Sequence, residues 1–274
     1  MGEGSEREYV LGHRADELAR LDGQARMLEP ATRLALQLAG IGPGMRVVDL
    51  GTGTGEVALL AAEAVGPTGS VLAVDQSADV LAYAGAKFAD RGVTTIELVE
   101  ADVASFVPPE PVDAVLGRLV LSYLPDPVAT IRRLLAAIRP GGVYLALEYD
   151  TEAVRGAPQT PLVQRLAHLM NAAFAAVGTP QTLGPHLAGM LREAGASDAQ
   201  SLGLQAYLAP DDPTGPAMLA GVIGSLAPAI EGHGLATAAE LDLPTLRERI
   251  AAEAREARAA MIVPTLVAAW GHAG

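Results

Sequence analysis

The chain has 274 residues, of which half are hydrophobic, 4% are aromatic and none is cysteine. The apolar content is too high for a disordered chain, and the lack of cysteine excludes a disulfide scaffold, a thiolate zinc site and a cysteine nucleophile. The formal net charge of −13 argues against a nucleic-acid partner, because phosphate contacts need clustered lysine and arginine. No segment is typical of a signal peptide or of a membrane span, so we expect no membrane partner and take the cytoplasm as the default location.

The first two thirds of the chain alternate between two kinds of apolar pattern. Residues 13–39 carry apolar side chains at helical steps, and we expect Pro30 to break that helix. Strands are predicted at 46–50, 70–74, 94–100, 112–117 and 143–149, with helices at 56–65, 78–90 and 128–138. This alternation, with strands that are almost continuously apolar, predicts a parallel sheet covered by helices on both faces.

Beyond Asp150 the patterns are weaker. They favour helices at 162–177, 183–194, 218–230 and 246–260, and strands at 201–208 and 263–270. The whole pattern predicts an α/β fold: a doubly wound, mostly parallel seven-stranded sheet of Rossmann-like type with helical cap segments. The predicted domains are an N-terminal helical cap (1–40), a ligand-binding α/β core (41–210), a helical cap insertion (211–260) and a last strand returning to the core sheet (261–274).

A glycine-rich loop follows the first predicted strand, in VVDLGTGTGEVALLAA (47–62). Glycine permits positive φ and lets a ligand approach the backbone, and the carboxyl ends of the strands are where doubly wound sheets bind ligands. A dinucleotide loop has the spacing Gly-x-Gly-x-x-Gly, and Glu56 stands where its third glycine belongs. A nicotinamide-dependent oxidoreductase is therefore the alternative to the family described next.

The segment DLGTGTGE (49–56) resembles motif I of class I S-adenosylmethionine (SAM)-dependent methyltransferases. The resemblance continues through VLAVDQS (71–77), VEADVASF (99–106), VDAVLGRLVLSYLPDP (112–127) and RPGGVYLALEYD (139–150), and covers roughly residues 9–200. It is strongest to the ubiquinone/menaquinone-type and other small-molecule methyltransferases. It implies SAM as the cofactor and a small-molecule acceptor as the partner.

The resemblance also implies cofactor-binding roles. Gly51, Thr52 and Gly53 would form the loop under the methionine part of SAM, Asp49 would orient that loop, and Asp75 would accept both ribose hydroxyls. The other implied positions are Gln76, Asp102 and Val103 around the adenine, Arg118 and Leu119 near the methyl group, and Tyr9 and Gln24, which would close the site. Each of these residues has a structural alternative, such as a turn, a helix cap, a salt bridge or simple packing.

Methyl transfer from a sulfonium depends mainly on alignment and on the exclusion of water, so no universal catalytic residue is expected. Glu148 and Asp150 are candidate bases, because residues two apart on a strand share a face at the carboxyl end of the fifth strand. His13, in the region expected to cover the site, is a third candidate. No metal site is predicted, since the histidines lack the spacing of a metal motif.

The segment 217–230 within the cap insertion is strongly apolar and is predicted to line an acceptor pocket, with a dimer interface or plain core as alternatives. We therefore expect a SAM-dependent methyltransferase that moves a methyl group to an O, N or C atom of a small, largely apolar acceptor in specialised metabolism. The alternatives are an NAD(P)-dependent oxidoreductase and a protein of this fold that binds SAM without methylating. A homodimer is left open.

Overall fold

The computed structural model describes residues 15–179 and 181–274, and for residues 15–26 it defines the helix alone. The strands are β1 (Arg46–Leu50), β2 (Ser70–Asp75), β3 (Ile96–Glu100), β4 (Val112–Arg118), β5 (Ile138–Asp150), β6 (Arg155–Ala157), β7 (Ser197–Leu204), β8 (Tyr207–Leu208), β9 (Ala260–Ile262) and β10 (Thr265–His272). The helices are α1 (Ala15–Leu38), α2 (Glu56–Val65), α3 (Ala78–Asp90), α4 (Pro127–Leu135), α5 (Pro161–Ala176), α6 (Leu187–Ala194), α7 (Thr214–Gly232), α8 (Ala238–Leu241) and α9 (Leu243–Ala257).

The chain divides into two compact units. The larger contains Leu21–Asp150, Thr182–Leu204 and Leu266–Gly274, and the smaller contains Thr151–Gln181 and Gln205–Thr265. The smaller unit thus takes in residues 151–181, which the sequence assigns to the core. Its helices pack on one another because their apolar faces need a partner.

A seven-stranded sheet forms the centre of the larger unit, in the order β3-β2-β1-β4-β5-β10-β7. The pairs β1–β2, β1–β4, β2–β3 and β4–β5 are parallel, and β7 pairs with β10 in the antiparallel sense. The predicted fold class is confirmed. The first strand places Val47 in the apolar cluster of one sheet face and Val48 in that of the other, so both faces are covered, as strands without polar alternation require.

The smaller unit has its own core and a small antiparallel sheet, β6–β9–β8. One face of α7, including Leu219, Ile223 and Leu226, is buried in that core with residues of α5 and α9. Met218 and Val222 of α7 are only half-buried, and Val222 packs against that core. Part of the segment predicted to line an acceptor pocket is therefore plain core. None of the described helices has the length and apolarity to cross a membrane.

The predicted break at Pro30 is wrong, because α1 continues through it. Proline removes one backbone donor and crowds the preceding turn, which disfavours a helix interior. Here the turns on either side are held by burial: Leu28, Ala35 and Leu36 all lie in the core of the larger unit. Tertiary packing therefore outweighs the local preference.

The predicted strand 201–208 is in fact two strands in two sheets. The chain leaves β7 of the large sheet at Leu204 and enters β8 of the small sheet at Tyr207. Between them the Gln205 side chain donates a hydrogen bond from Nε2 to the Val263 carbonyl at 3.0 Å. The predicted helix 246–260 likewise stops at Ala257, and Ala260 begins β9. A run of strand-forming residues does not reveal such a change of partner.

Candidate functional site

The loop between β1 and α2 contains three glycines with positive φ: 61° at Gly51, 53° at Gly53 and 82° at Gly55. A β-carbon at Gly51 would lie 2.6 Å from Cγ2 of Val120, and one at Gly55 would lie 2.5 Å from the ring of Phe88. At Gly53 the nearest atom would be the Gly51 carbonyl oxygen, 3.9 Å away. The outer two glycines are therefore required by packing inside the protein, whereas the middle one leaves space for a ligand.

Asp75 ends β2 and holds this loop. Its Oδ2 accepts a hydrogen bond from the Gly53 amide at 3.0 Å, and its Oδ1 accepts one from the Ser77 amide at 3.1 Å. A carboxylate oxygen has two acceptor sites, so each oxygen can still accept one hydroxyl. The structure thus brings together the middle glycine and the carboxylate that the sequence predicts to bind a ribose.

Asp49, near the end of β1, lies beneath the loop and is almost completely buried. Its Oδ2 accepts a hydrogen bond from Thr52 Oγ1 at 2.7 Å, which fixes the loop from below. Burial raises the pKa of Asp49 to about 7, while the Thr52 hydrogen bond and the positive charge of Arg118 act in the opposite direction. Asp49 thus contacts the loop through Thr52, and its role of orienting that loop for a cofactor stays a prediction.

Arg118 and Leu119 follow at the end of β4. Arg118 Nη1 donates to Thr32 Oγ1 on α1 at 2.9 Å, and burial lowers the pKa of its guanidinium. Leu119 has a φ of 57°, which is unusual for a residue with a side chain, and its amide donates to the Leu147 carbonyl at 2.8 Å. The arginine therefore ties α1 to the carboxyl edge of the sheet.

Glu148, on β5, is fully buried. Its Oε1 accepts the amides of Val120 at 2.9 Å and Leu121 at 2.7 Å, and its Oε2 accepts Ser122 Oγ at 2.8 Å. Burial raises the pKa of Glu148 to about 7, although these hydrogen bonds favour the charged form. Both carboxylate oxygens face donors of the protein itself, and a base role for this residue stays a prediction that no contact supports.

The other predicted site residues make no described contact with the glycine loop. Gln76 is exposed, Val103 is buried in a core cluster, and Asp150 is half-buried at the end of β5. The Asp102 carboxylate accepts hydrogen bonds within its own loop, from the Ala104 amide at 2.9 Å and the Ser105 hydroxyl at 3.1 Å. An adenine contact by Asp102 therefore stays a prediction.

Three further predicted residues lie outside what the structure can test. Tyr9 and His13 fall outside the described residues, and for Gln24 only the helical backbone is defined. Among the described residues there is no group of three or more histidine or acidic side chains placed to hold a metal ion.

Several residues that shape the site were not predicted. Thr32 lies on α1, far in sequence from Arg118, and no local pattern connects the two. Ser122 lies four residues beyond the end of β4, and no local pattern connects its hydroxyl with Glu148. The sequence indicates Gly55 only as a member of the glycine pattern, whereas the structure shows that Gly55 allows the close approach of the Phe88 ring.

The comparisons with known proteins agree with this geometry. Residues 41–195 match the family described as "Methyltransferase domain". The ubiquinone/menaquinone biosynthesis C-methyltransferase UbiE of Pseudomonas putida is 35% identical over 120 residues, which make up 43% of this chain and 47% of the relative. The chain thus spans about half the length of the curated relatives it matches.

Two solved structures resemble the fold. A SAM-dependent methyltransferase from Aquifex aeolicus has a TM-score of 0.51 at 19% identity, with 72% of this chain and 93% of that chain covered. The [4+2]-cyclase SpnF has a TM-score of 0.54 at 20% identity, with 89% of this chain and 82% of that chain covered. At these identities the two structures show the fold alone.

The sheet order, the glycine loop and the Asp75 carboxylate define the class as the class I SAM-dependent methyltransferase type, and the predicted resemblance and cofactor are confirmed. The match covers more than half of the chain. The chain therefore belongs to the methyltransferase-domain family.

Proposed function

We propose that this chain transfers a methyl group from SAM to an O, N or C atom of a small, largely apolar acceptor, in specialised metabolism. The observation that carries the proposal is the pairing of Gly53 with Asp75. The amide of Gly53 is bound to the carboxylate at 3.0 Å, and its own β-carbon position is open. This arrangement suits the ribose of SAM, whose hydroxyls the carboxylate can accept, and the methionine part of SAM, which must lie close to the backbone.

Several residues would hold the cofactor. Asp75 would use its remaining acceptor sites for the ribose hydroxyls, and residues 51–53 would lie under the methionine part, supported by Asp49. The adenine would meet Gln76, Asp102 and Val103, and the methyl end would meet Arg118 and Leu119, with Tyr9 and Gln24 closing the site. When bound, SAM supplies a methyl group already activated on a sulfonium. The protein then has to orient the acceptor and exclude water.

The acceptor class follows from a relative and from the residues available as bases. UbiE of Pseudomonas putida is named as a C-methyltransferase, so we take an electron-rich ring carbon as the first acceptor to test. Such a carbon depends less on a general base than a hydroxyl or an amine does. For an O or N acceptor, Asp150 and His13 are the proposed bases. A role for the segment 217–230 in lining the acceptor pocket stays a prediction.

Calorimetric titration with SAM tests the cofactor site. We expect wild-type protein to bind SAM and Asp75→Ala to lose binding, because the substitution removes the ribose acceptor and the support of Gly53. Asp79→Ala is the matched control, since Asp79 is exposed on the first turn of α3 and lies outside the loop. Absence of SAM binding by folded wild-type protein would refute the proposal, and binding of NADH in its place would support the oxidoreductase.

Transfer is tested separately from binding. The protein is incubated with SAM carrying a deuterated methyl group and a set of phenols, quinols and amines, and products are detected by mass spectrometry. A labelled product supports the reaction. SAM binding without any labelled product favours a protein of this fold that binds the cofactor without methylating.

Further parts of the proposal concern the setting of the enzyme. We propose a cytoplasmic location and a small molecule as the partner. The domain boundaries at residues 40, 210 and 260 also stay proposals. Whether the half-buried face of α7 supports a homodimer can be measured by analytical ultracentrifugation.

A further inference from the structure

The end of β4 leaves backbone groups that need partners. The ladder with β5 stops after the Leu119 amide, which donates to the Leu147 carbonyl, and the chain then turns through the positive φ of Leu119. The next two amides, of Val120 and Leu121, point away from the ladder in a buried region. Buried amides without acceptors are costly, so something must accept them.

Glu148 supplies that acceptor. It is the residue immediately after Leu147 on β5, and one of its oxygens accepts both amides while the other accepts the Ser122 hydroxyl. The Glu148 carboxylate therefore accepts the two amides that follow the last hydrogen bond between β4 and β5. All three donors belong to consecutive residues, so a single carboxylate fixes the conformation of 120–122.

The same segment supports the glycine loop. The Val120 side chain fills the space beside Gly51, where a β-carbon would lie 2.6 Å from Cγ2, and beside Gly117, where one would lie 2.8 Å from Cγ1. Val120 is itself buried, so a shift of its backbone has to move the loop that lies against it. A continuous set of contacts thus joins Glu148 to Gly51.

We propose that Glu148 is a positioning residue for cofactor binding: it fixes Val120 through its backbone amide, and Val120 in turn fixes the glycine loop. This inference rests on the proposed function, since the loop is taken to hold SAM. It replaces the role of a base for Glu148, because the side chain is fully buried and both of its oxygens accept hydrogen bonds from the protein itself. The residue acts on the cofactor only through the loop.

Two substitutions of similar size separate the two roles. In Glu148→Gln the amide oxygen can accept the two backbone amides and the amide nitrogen can donate to the Ser122 hydroxyl, so the contacts survive. In Glu148→Met the volume is kept and every acceptor is lost. Tyr144→Phe is the matched control, because Tyr144 is also fully buried on β5 and its substitution leaves the three hydrogen bonds of Glu148 in place.

The experiment measures SAM affinity by calorimetry and hydrogen exchange of the Val120 and Leu121 amides by NMR. Positioning predicts near wild-type affinity and slow exchange in Glu148→Gln, and about tenfold or more weaker binding with faster exchange in Glu148→Met. Tyr144→Phe should bind SAM as the wild type does.

Three outcomes decide against the inference or the function beneath it. Equal SAM affinity in the Gln, Met and wild-type proteins overturns the positioning role. If Glu148→Met does not fold, loss of SAM binding by folded Glu148→Gln overturns it as well. Failure of the wild-type protein to bind SAM contradicts the proposed function itself.

Discussion

Replacing Gly55 by alanine should destabilise the protein far more than the same change two residues earlier at Gly53. Both glycines have positive φ, so both substitutions carry a conformational cost of about 1–2 kcal/mol. Only Gly55 adds a collision, because its new methyl group would lie 2.5 Å and 2.6 Å from two ring carbons of Phe88. Overpacking of this kind costs about 1–3 kcal/mol, so Gly55→Ala should lose about 2–5 kcal/mol in total.

The pair of variants is matched in other respects. Each changes glycine to alanine in one loop, so the loss of freedom in the unfolded chain is the same and cancels in the comparison. Urea unfolding followed by circular dichroism gives the free energy of unfolding of each variant. Adding Phe88→Leu to Gly55→Ala should recover part of the loss, because the ring is the group that is struck.

Cofactor binding should respond in the opposite order. Gly53→Ala should weaken SAM binding strongly while losing only the conformational cost of about 1–2 kcal/mol in stability, since its methyl group enters the open side of the loop. Gly55→Ala should still bind SAM at temperatures where it is folded. Equal loss of stability in the two variants, or no benefit from Phe88→Leu, would show that the collision with the ring is not the cause.

Further predictions concern buried polar groups. Tyr144→Phe should raise the free energy of unfolding by about 1 kcal/mol, because the buried Tyr144 hydroxyl has no hydrogen-bond partner among the described residues. Asp49 and Glu148 have folded pKa values of about 7 against ordinary values of 3.8 and 4.5, so the folded state binds more protons and stability should fall as pH rises from about 4 to about 7. Asp49→Asn and Glu148→Gln should each remove about 2–3 kcal/mol of that fall, measured by urea unfolding at pH 5 and pH 8, and unchanged slopes would contradict this. Lys87→Met should cost about 1 kcal/mol by breaking its mostly buried ion pair with Glu56, and adding Glu56→Gln should recover part of it in a double-mutant cycle.

The sequence was informative where local pattern and tertiary structure agree. The helices 56–65 and 78–90 are predicted with the boundaries that the structure has, because a glycine loop or a serine cap marks each start. The strands of the parallel part of the sheet are continuous apolar runs. This pattern is typical of strands that are buried on both faces, so it predicts the parallel sheet directly. The glycine loop and Asp75 are predicted as parts of one site, and the structure joins them by a hydrogen bond.

The structural features that the sequence did not predict share a physical cause. Pro30 would break an isolated helix, and only the burial of its neighbouring turns keeps α1 continuous. The division of 201–208 between two sheets depends on pairing partners in β9 and β10, which are distant in sequence. The environment of Glu148 depends on three donors at positions 120–122. Such contacts leave no periodic trace in the sequence, so pattern alone could not reveal them.

The short segment that carries β9 and β10 has a consequence for biosynthesis. Residues 260–262 form the middle strand of the small sheet, and residues 265–272 form an inner strand of the large one. Neither sheet can reach its native strand order until this stretch has left the ribosome. A nascent chain halted before residue 260 should leave four strand edges unpaired, those of β5 and β7 in the large sheet and of β6 and β8 in the small one, and should recruit chaperones.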